Sequence, residues 1–357
     1  MGLFGLFGKP KETIGLDVGS SAIKLVQLGP GPKGYQLLAM AMVPLPPEAI
    51  SEGNIKDFPT VVEAIREVVG KAGAKAKDTV IAVSGRELIV KKLQLPKMTP
   101  KELGDAISLE AEQHIPFAID EVFLDWQVVG EAPEGTGTMD VILVAAKKSK
   151  VNEYVNVVKE AGLSPVVVDL DSFALENQFE LNNPELTQEA VALIDIGASV
   201  MKTNVVRGGA SLFARDIAFG GNNYTQAIAE QLNVPFGKAE AAKRGQDVDV
   251  SQDDLPPILD TVSRDLSLEI QRTFDYFSST TEAERISRIV LSGGCARLAG
   301  IDEYLSSNWG IPVEIVKPFQ TIDFDPNRFS AEEIEASSPM LAVAVGLGIR
   351  RPGDKPA

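Results

Sequence analysis

The residues best suited to chemistry in this chain form an eight-residue string that occurs twice. Asp17-Val18-Gly19-Ser20-Ser21-Ala22-Ile23-Lys24 returns half a chain length later as Asp195-Ile196-Gly197-Ala198-Ser199-Val200-Met201-Lys202. Asp, Gly, Ser and Lys keep their places, and every change is small for small or apolar for apolar. A carboxylate at a strand end can hold a divalent cation, usually through water. A glycine lets the backbone approach a ligand closely, and serine hydroxyls and turn N–H groups can donate to phosphate oxygens. Two such turns face to face would clamp a polyphosphate and its Mg2+ from both sides. Taken singly, either copy could be an ordinary hairpin turn; the repeat at half the chain length suggests internal duplication.

The elements needed to position these turns can be read around them. Each copy follows a short apolar run, Thr13–Leu16 and Val191–Ile194, and so reads as strand, Gly turn, strand. Residues 13–43 predict three strands broken by a turn at Gly29-Pro30-Gly31-Pro32. The stripe Val61, Val62, Ile65, Val68, Val69 predicts a helix ending near Gly70, with a buried strand at Thr79–Val83 behind it. Residues 86–148 have a different texture and read as a small α+β insert. It has a strand at Leu88–Leu95, a capping box at Thr99-Pro100-Lys101-Glu102 opening a helix to about His114, and strands at Glu121–Val129 and Met139–Ala146 around the turn-rich stretch Pro133–Gly137. A helix face at Val151–Ala161 and a strand at Pro165–Leu170 resume the α/β pattern. The second half repeats it: a hairpin from Val191, Gly220-Gly221, a helix to Leu232, a short helix at Gly237–Arg244 and a long amphipathic helix through Leu259 to Phe277. The strand Ile289–Ser292 then runs into Gly293-Gly294, and an apolar helix at Met340–Ile349 comes last.

Composition narrows the function classes. A chain of 357 residues suggests two domains. A formal charge of −16 argues against nucleic acid, which would want a basic face. One cysteine, Cys295, allows neither an intrachain disulfide nor a cysteine-rich zinc site, and one histidine, His114, argues against a Ser-His-Asp triad. No apolar run approaches the roughly 20 residues that span a bilayer, and no signal peptide is evident; the expected place is the cytoplasm. The N-terminal Met1–Lys9 carries four large apolar residues and reads as a tail, free or docked on a partner, with contact to a membrane surface as the other reading.

Three weaker constellations accompany the repeated string. In Gly293-Gly294-Cys295-Ala296, paired glycines would let a flat ring or ribose lie on bare backbone beside a helix N-terminus, although a strand-to-helix turn uses glycine anyway. Cys295 reads as a space-filler rather than a nucleophile. Glu240 and Lys243, one helical turn apart, form either a surface ion pair or a pair reaching ribose hydroxyls and adenine. Asp169 and Asp171 end a strand at the same cleft. Either could orient an attacking water, or act as helix N-cap ahead of Ser172. His114 at a helix C-terminus reads as structural or partner-facing.

In this order, over residues 12–350, the motifs resemble the actin-like ATPase superfamily of actin, Hsp70, sugar kinases and FtsA. Ile14–Lys24 is similar to its first phosphate loop, Ile194–Lys202 to the second and Leu291–Gly300 to its adenosine motif. Val166–Ser172 and Ser338–Leu347 are similar to its two connecting segments. The insert stands where the FtsA branch carries an extra subdomain. Its Leu93-Gln94-Leu95-Pro96-Lys97-Met98, Glu110–Phe117 and Asp125-Trp126-Gln127-Val128 resemble the PilM family of type IV pilus assembly.

The resemblance implies an α/β actin-like ATPase fold: two duplicated domains around a nucleotide cleft, with an inserted α+β subdomain. It implies a first domain of residues 12–85, 149–188 and 336–350, an insert of 86–148, and a second domain of 189–335 with an outer part at 236–285, between short tails. It implies ATP and Mg2+, with Asp17 and Asp195 on the metal through water and Gly19, Ser20, Ser21, Lys24, Gly197, Ala198 and Ser199 at the phosphates. Gly220, Gly221, Glu240, Lys243, Gly293, Gly294 and Ala296 would form the nucleoside side. Asp171 would position water, but where several superfamily members have Glu-Pro this chain has Asp171-Ser172, so turnover is expected to be weak or negligible. The implied partners are the N-terminal cytoplasmic tail of PilN, held between insert and first domain by residues such as Leu93, Leu95 and Ile115, each of which has core of the insert as its other reading, then PilO and the pilus motor ATPases. Membrane association would be mainly indirect. A filament-forming FtsA-type ATPase and a small-molecule kinase are the alternatives.

Overall fold

A computed structural model describes residues 12–32, 34–131, 137–186, 188–246, 249–280 and 285–354. The expected tail at 1–11, most of the Pro133–Gly137 turn and the last three residues lie outside them.

The apolar runs ahead of the two repeated strings become strands that are buried along their whole length. The first half gives β1 (Ile14–Val18), β2 (Ala22–Gly31), β3 (Gly34–Pro44), a short hairpin β4 (Ile50–Ser51) and β5 (Asn54–Ile55), α1 (Phe58–Ala72) and β6 (Asp78–Val83). The insert is β7 (Leu88–Pro96), α2 (Pro100–His114), β8 (Val122–Glu131) and β9 (Thr138–Lys147). Next come α3 (Lys148–Glu160), β10 (Ser164–Leu170) and α4 (Asp171–Asn182). The second half gives β11 (Val191–Ile196), β12 (Met201–Arg207), β13 (Ala210–Ile217), α5 (Gly221–Leu232), α6 (Phe236–Lys243), α7 (Leu255–Thr280), β14 (Arg288–Ser292), α8 (Ile301–Trp309), β15 (Val313–Ile315), β16 (Ile322–Asp323) and α9 (Ala331–Ile349).

Duplication is visible in the topology. One sheet has the order β10-β6-β1-β2-β3-β16, the other β13-β12-β11-β14-β15. Each contains an antiparallel three-strand meander followed by two parallel strands. Register repeats as well: Asp17 lies opposite Lys24, and Asp195 opposite Lys202. The expected break at Gly29–Pro32 falls later, because β2 stays paired to β3 as far as Gly31 opposite Gly34.

Two helices join the halves. Helix α4 is buried on almost every side and therefore has no polar face. Helix α9 starts at Ala331, nine residues before the expected Met340, under a Ser330 cap that accepts from the Glu333 N–H. Pro339, whose missing N–H and ring usually stop a helix, is tolerated inside it. The Ser337 and Ser338 hydroxyls donate to the carbonyls of Glu333 and Ile334 in the turn before. The helices cross in backbone contact: a Cβ on Gly346 would stand 1.8 Å from the Ala174 carbonyl oxygen. Gly15 of β1 meets α9 in the same way, with 2.3 Å to the Ala344 oxygen. Around the crossing, Val80 and Ala82 of one sheet and Val191, Leu193 and Val290 of the other share a single apolar cluster.

In the insert, β9 is central and α2 covers one face of the sheet. The Thr99–Glu102 capping box forms as expected. Leu93, Leu95 and Ile115 pack with Leu103, Ile107 and Val141 as the core of this unit. They correct the sequence expectation that they line a partner groove: alternation on β7 turns both leucines under α2, and β7 lies on the far side of β9 from β8. Among the described residues no helix is long and apolar enough to cross a membrane.

Helix α4 also buries Glu176, whose carboxyl is pushed up to about 8 by burial, with the Glu180 charge adding to it. Between an unfolded value of 4.5 and about 8 the folded chain holds the extra proton, so stability falls as pH rises through that window. Glu176→Gln should flatten this fall, whose slope is at most about 1.4 kcal/mol per pH unit, seen as a melting temperature that changes less between pH 5 and 8. Gly346→Ala should cost about 3 kcal/mol, the upper part of the overpacking range, read as a lower melting temperature at constant pH.

Candidate functional site

The two Asp–Lys hairpins meet at the N-terminus of α4. In the first, Lys24 Nζ lies 2.6 Å from Asp17 Oδ2. In the second, Lys202 Nζ lies 3.3 Å from Asp195 Oδ1 and 3.0 Å from Asp171 Oδ2. The Ser292 hydroxyl, at the end of β14, donates to Asp195 Oδ2 at 2.9 Å. Three carboxylates and two ammonium groups thus converge where strand ends and helix start come together.

Their charges balance unequally. Burial pushes Asp17 above its ordinary range by more than Lys24 draws it down, and Asp171 pushes it further. Burial also works against the Asp171 charge, but the Lys202 ammonium and hydrogen bonds from Lys202 and Ser84 outweigh it and the carboxyl titrates low. Lys202 is desolvated too, yet Asp171, Asp195 and Asp17 hold it protonated well above an ordinary lysine. Asp171 is the first helical residue, not the N-cap, and its side chain serves Lys202 rather than the helix backbone. Asp169 points elsewhere, to Arg350 Nε at 2.9 Å.

The second loop is stapled to α5. The Gly221 N–H donates to the Gly197 carbonyl at 2.9 Å, the Asn222 N–H to the Ala198 carbonyl at 2.8 Å, and the Asn222 amide to the Ser199 hydroxyl at 3.2 Å. A Cβ on Gly220 would stand 2.6 Å from both loop carbonyl oxygens, so Gly220 is what lets helix and loop close. Gly19, Ser20 and Ser21 of the first loop are not fully buried, and Ser21 is exposed.

On the α6 side, Lys243 Nζ reaches Glu240 Oε2 at 2.6 Å, the Thr225 hydroxyl at 2.8 Å and the Gly221 carbonyl at 3.0 Å. Thr225 also donates to Glu240, and Arg244 lies 2.7 Å from its other oxygen. Burial notwithstanding, Lys243 and these partners keep Glu240 ionised below its ordinary range. This is a built network, not a loose surface pair. Gly293 has φ 86°, a conformation glycine adopts freely, and a Cβ there would meet the Ile196 carbonyl oxygen at 2.4 Å. A Cβ on Gly294 meets nothing within 4 Å, so that side is open. The side chain of Ala296 packs into the second-half core. Cys295 is buried and pushed up to about 12 by that burial, the state of a space-filling thiol. His114 lies 3.3 Å from Lys91 Nζ on the insert, far in sequence and fold from the cleft.

Sequence reasoning assigned no role to Lys202, Ser292 or Ser84, while Tyr224-Thr225 was grouped with Gly220-Gly221 on the adenosine side by resemblance. Lys202 was legible, since the repeated Asp…Lys spacing predicts a cross-strand pair. Ser292 and Ser84 reach the site from other elements and carried no local signal. A second concavity, of about 580 Å3, lies between the insert and the first sheet. Phe123 and the edge of β8 line it with Val168 and Phe173, and Gly209–Ser211 at the start of β13 contribute as well, while the Trp126 ring packs into the insert core. Strands β8 and β10 are each the outer strand of their sheet.

The family model of the type IV pilus assembly protein PilM matches residues 15–352. Among solved structures, a PilM-PilN type IV pilus biogenesis complex aligns with TM-score 0.85 and 31% identity, covering 97% of this chain and 99% of that one. MreB5 of Spiroplasma citri bound to AMPPNP aligns with TM-score 0.55 and 13% identity over 95% of each chain, a likeness of fold. The cell division protein FtsA of Neisseria meningitidis is 22% identical over 93% of this chain and 88% of its own length. With its duplicated actin-like fold, its insert and a family match over nearly its whole length, the chain belongs to the PilM family of type IV pilus assembly proteins.

Proposed function

We propose that this chain is a nucleotide-binding scaffold of the type IV pilus inner-membrane platform, holding MgATP in the cleft and the N-terminal tail of PilN in the groove beside the insert. The observation that carries the nucleotide reading is the pair of Asp–Lys hairpins in identical register, meeting at Asp171. Lys24 and Lys243 would face phosphates and nucleoside, Gly19 to Ser21 and Gly197 to Ser199 would cradle the phosphates, and the open backbone of Gly294 would receive the base or ribose. Among the described residues no group of three or more histidine, cysteine, aspartate or glutamate side chains is arranged to hold a metal ion by itself. A divalent cation here would therefore ride on phosphate oxygens and reach Asp17 and Asp195 through water, where it would offset the charge of the phosphates.

Turnover should be slow. A general base needs a free carboxylate with a pKa near working pH, and Asp171 is ion-paired to Lys202 and titrates low. ATP would then act as a structural or switching ligand. The groove reading rests on its walls: two sheet edges, each with backbone groups lacking a strand neighbour on one side, suit an extended peptide. PilN is the partner in the related complex. Through PilN the chain would be drawn to the inner face of the inner membrane, next to PilO and the motor ATPases.

Calorimetric titration of ATP should give saturable binding that weakens at least about tenfold when Mg2+ is replaced by EDTA, a loss of about 1.4 kcal/mol. Gly294→Leu, at a position with room for a side chain, should lower ATP affinity by a similar factor with an unchanged melting temperature; unaltered affinity would remove the nucleoside assignment. Phosphate release should run far below the ~10 s−1 of a typical enzyme, and turnover at that level would overturn the scaffold reading.

A further inference from the structure

The groove has a charge as well as a shape. Asp125, Asp169, Glu176, Glu180 and Asp354 line it, and among its described lining residues Arg350 is the one cation. Arg350 is already engaged, with Nε 2.9 Å from Asp169 Oδ2 and Nη1 3.3 Å from Asp354 Oδ1. Glu176 and Glu180 stand one helical turn apart on α4 and line the groove together with the exposed Phe123 of β8. Glu176 is 8% exposed, and its one hydrogen-bond donor among the described residues is the Asn204 amide, 3.3 Å from Oε2. Beside it, Asn177 Nδ2 is buried with no acceptor. Nature rarely leaves a buried carboxylate without a cation, because desolvation of the charge goes uncompensated.

From this juxtaposition we infer that the groove is selective for an extended peptide carrying a lysine or arginine next to apolar residues, the basic side chain lying against Glu176 and Glu180 while the apolar ones fill the slot between Phe123, Val168 and Phe173. The inference rests on the groove reading above and adds the chemistry of its occupant. The empty groove is a poor place for charge: burial, with Glu180 and Asp169 adding to it, pushes Glu176 up to about 8, and burial pushes Glu180 up as well. An arriving cation reverses this balance, so Glu176 gives up its proton as the peptide binds, and affinity rises with pH up to about 8.

The test is calorimetry of the full chain with a synthetic peptide of the first dozen residues of the cognate PilN. A second peptide has every lysine and arginine replaced by glutamine. Both are N-acetylated, so that side chains are the one source of positive charge. The glutamine peptide should bind wild type at least tenfold more weakly than its parent. Glu176→Gln with Glu180→Gln should weaken the parent peptide by a similar factor. Titration at pH 7 in buffers of different ionisation heat should show proton release that Glu176→Gln abolishes. If the parent peptide binds saturably and the glutamine peptide matches it within twofold, the charge selectivity is wrong and the groove reading survives. If a parent peptide without any basic residue binds tightly, the outcome is the same. If neither peptide binds, the groove reading falls and this inference with it.

Discussion

The close crossing of α4 and α9 is the constraint on which the rest of the molecule depends. Gly346 lies against the Ala174 carbonyl with no room for a methyl group, and Gly15 of β1 lies equally close to Ala344. Backbone contact at both places brings the two sheets onto one apolar cluster, so the halves share a core instead of merely touching. That closeness also sets the site. Helix α4 can bring Asp171 to Lys202 of the second sheet only because its axis runs this near to the strands of both.

Charge at the cleft follows from burial. Asp17 and Asp195 are both buried, and each has a lysine seven residues on, across its own hairpin. Lys202 does more than its counterpart, because it also takes Asp171. A duplicated scaffold has thus been put to unequal use: one half supplies a paired carboxylate, the other a carboxylate, an ammonium and the tie to the connecting helix. The same tie holds Asp171 in an ion pair with Lys202.

Helix α4 and strand β12 run between cleft and groove. Lys202 and Asn204 lie two residues apart on one face of β12. Lys202 holds Asp171 at the cleft, and Asn204 holds the Ser172 carbonyl at 2.9 Å and Glu176 at the groove. Less than two helical turns separate the two contacts. The Ser211 hydroxyl, donating to Asn204 Oδ1 at 2.6 Å, brings the β12–β13 turn into the same network.

Sequence by itself determined whatever rests on local pattern. The twin strings, the insert with its Thr99–Glu102 box, the paired glycines and the α/β order all follow from periodicity, turn chemistry and repetition within short windows. Cross-strand partners such as Asp195 and Lys202 were within reach for the same reason, since hairpin register is local. Tertiary structure decided the rest. That α9 runs through Pro339 and begins at Ala331 is visible only in the folded chain, where the helix packs against α4. That Leu93, Leu95 and Ile115 are core depends on which strand of the insert sheet is outermost. Asp171 is a partner of Lys202, and Glu176 lies buried on a groove wall, because two distant segments are forced together there. An apolar or acidic residue looks the same in a string whether it faces its own unit or a neighbouring one. Only the packing of one unit on another separates the two.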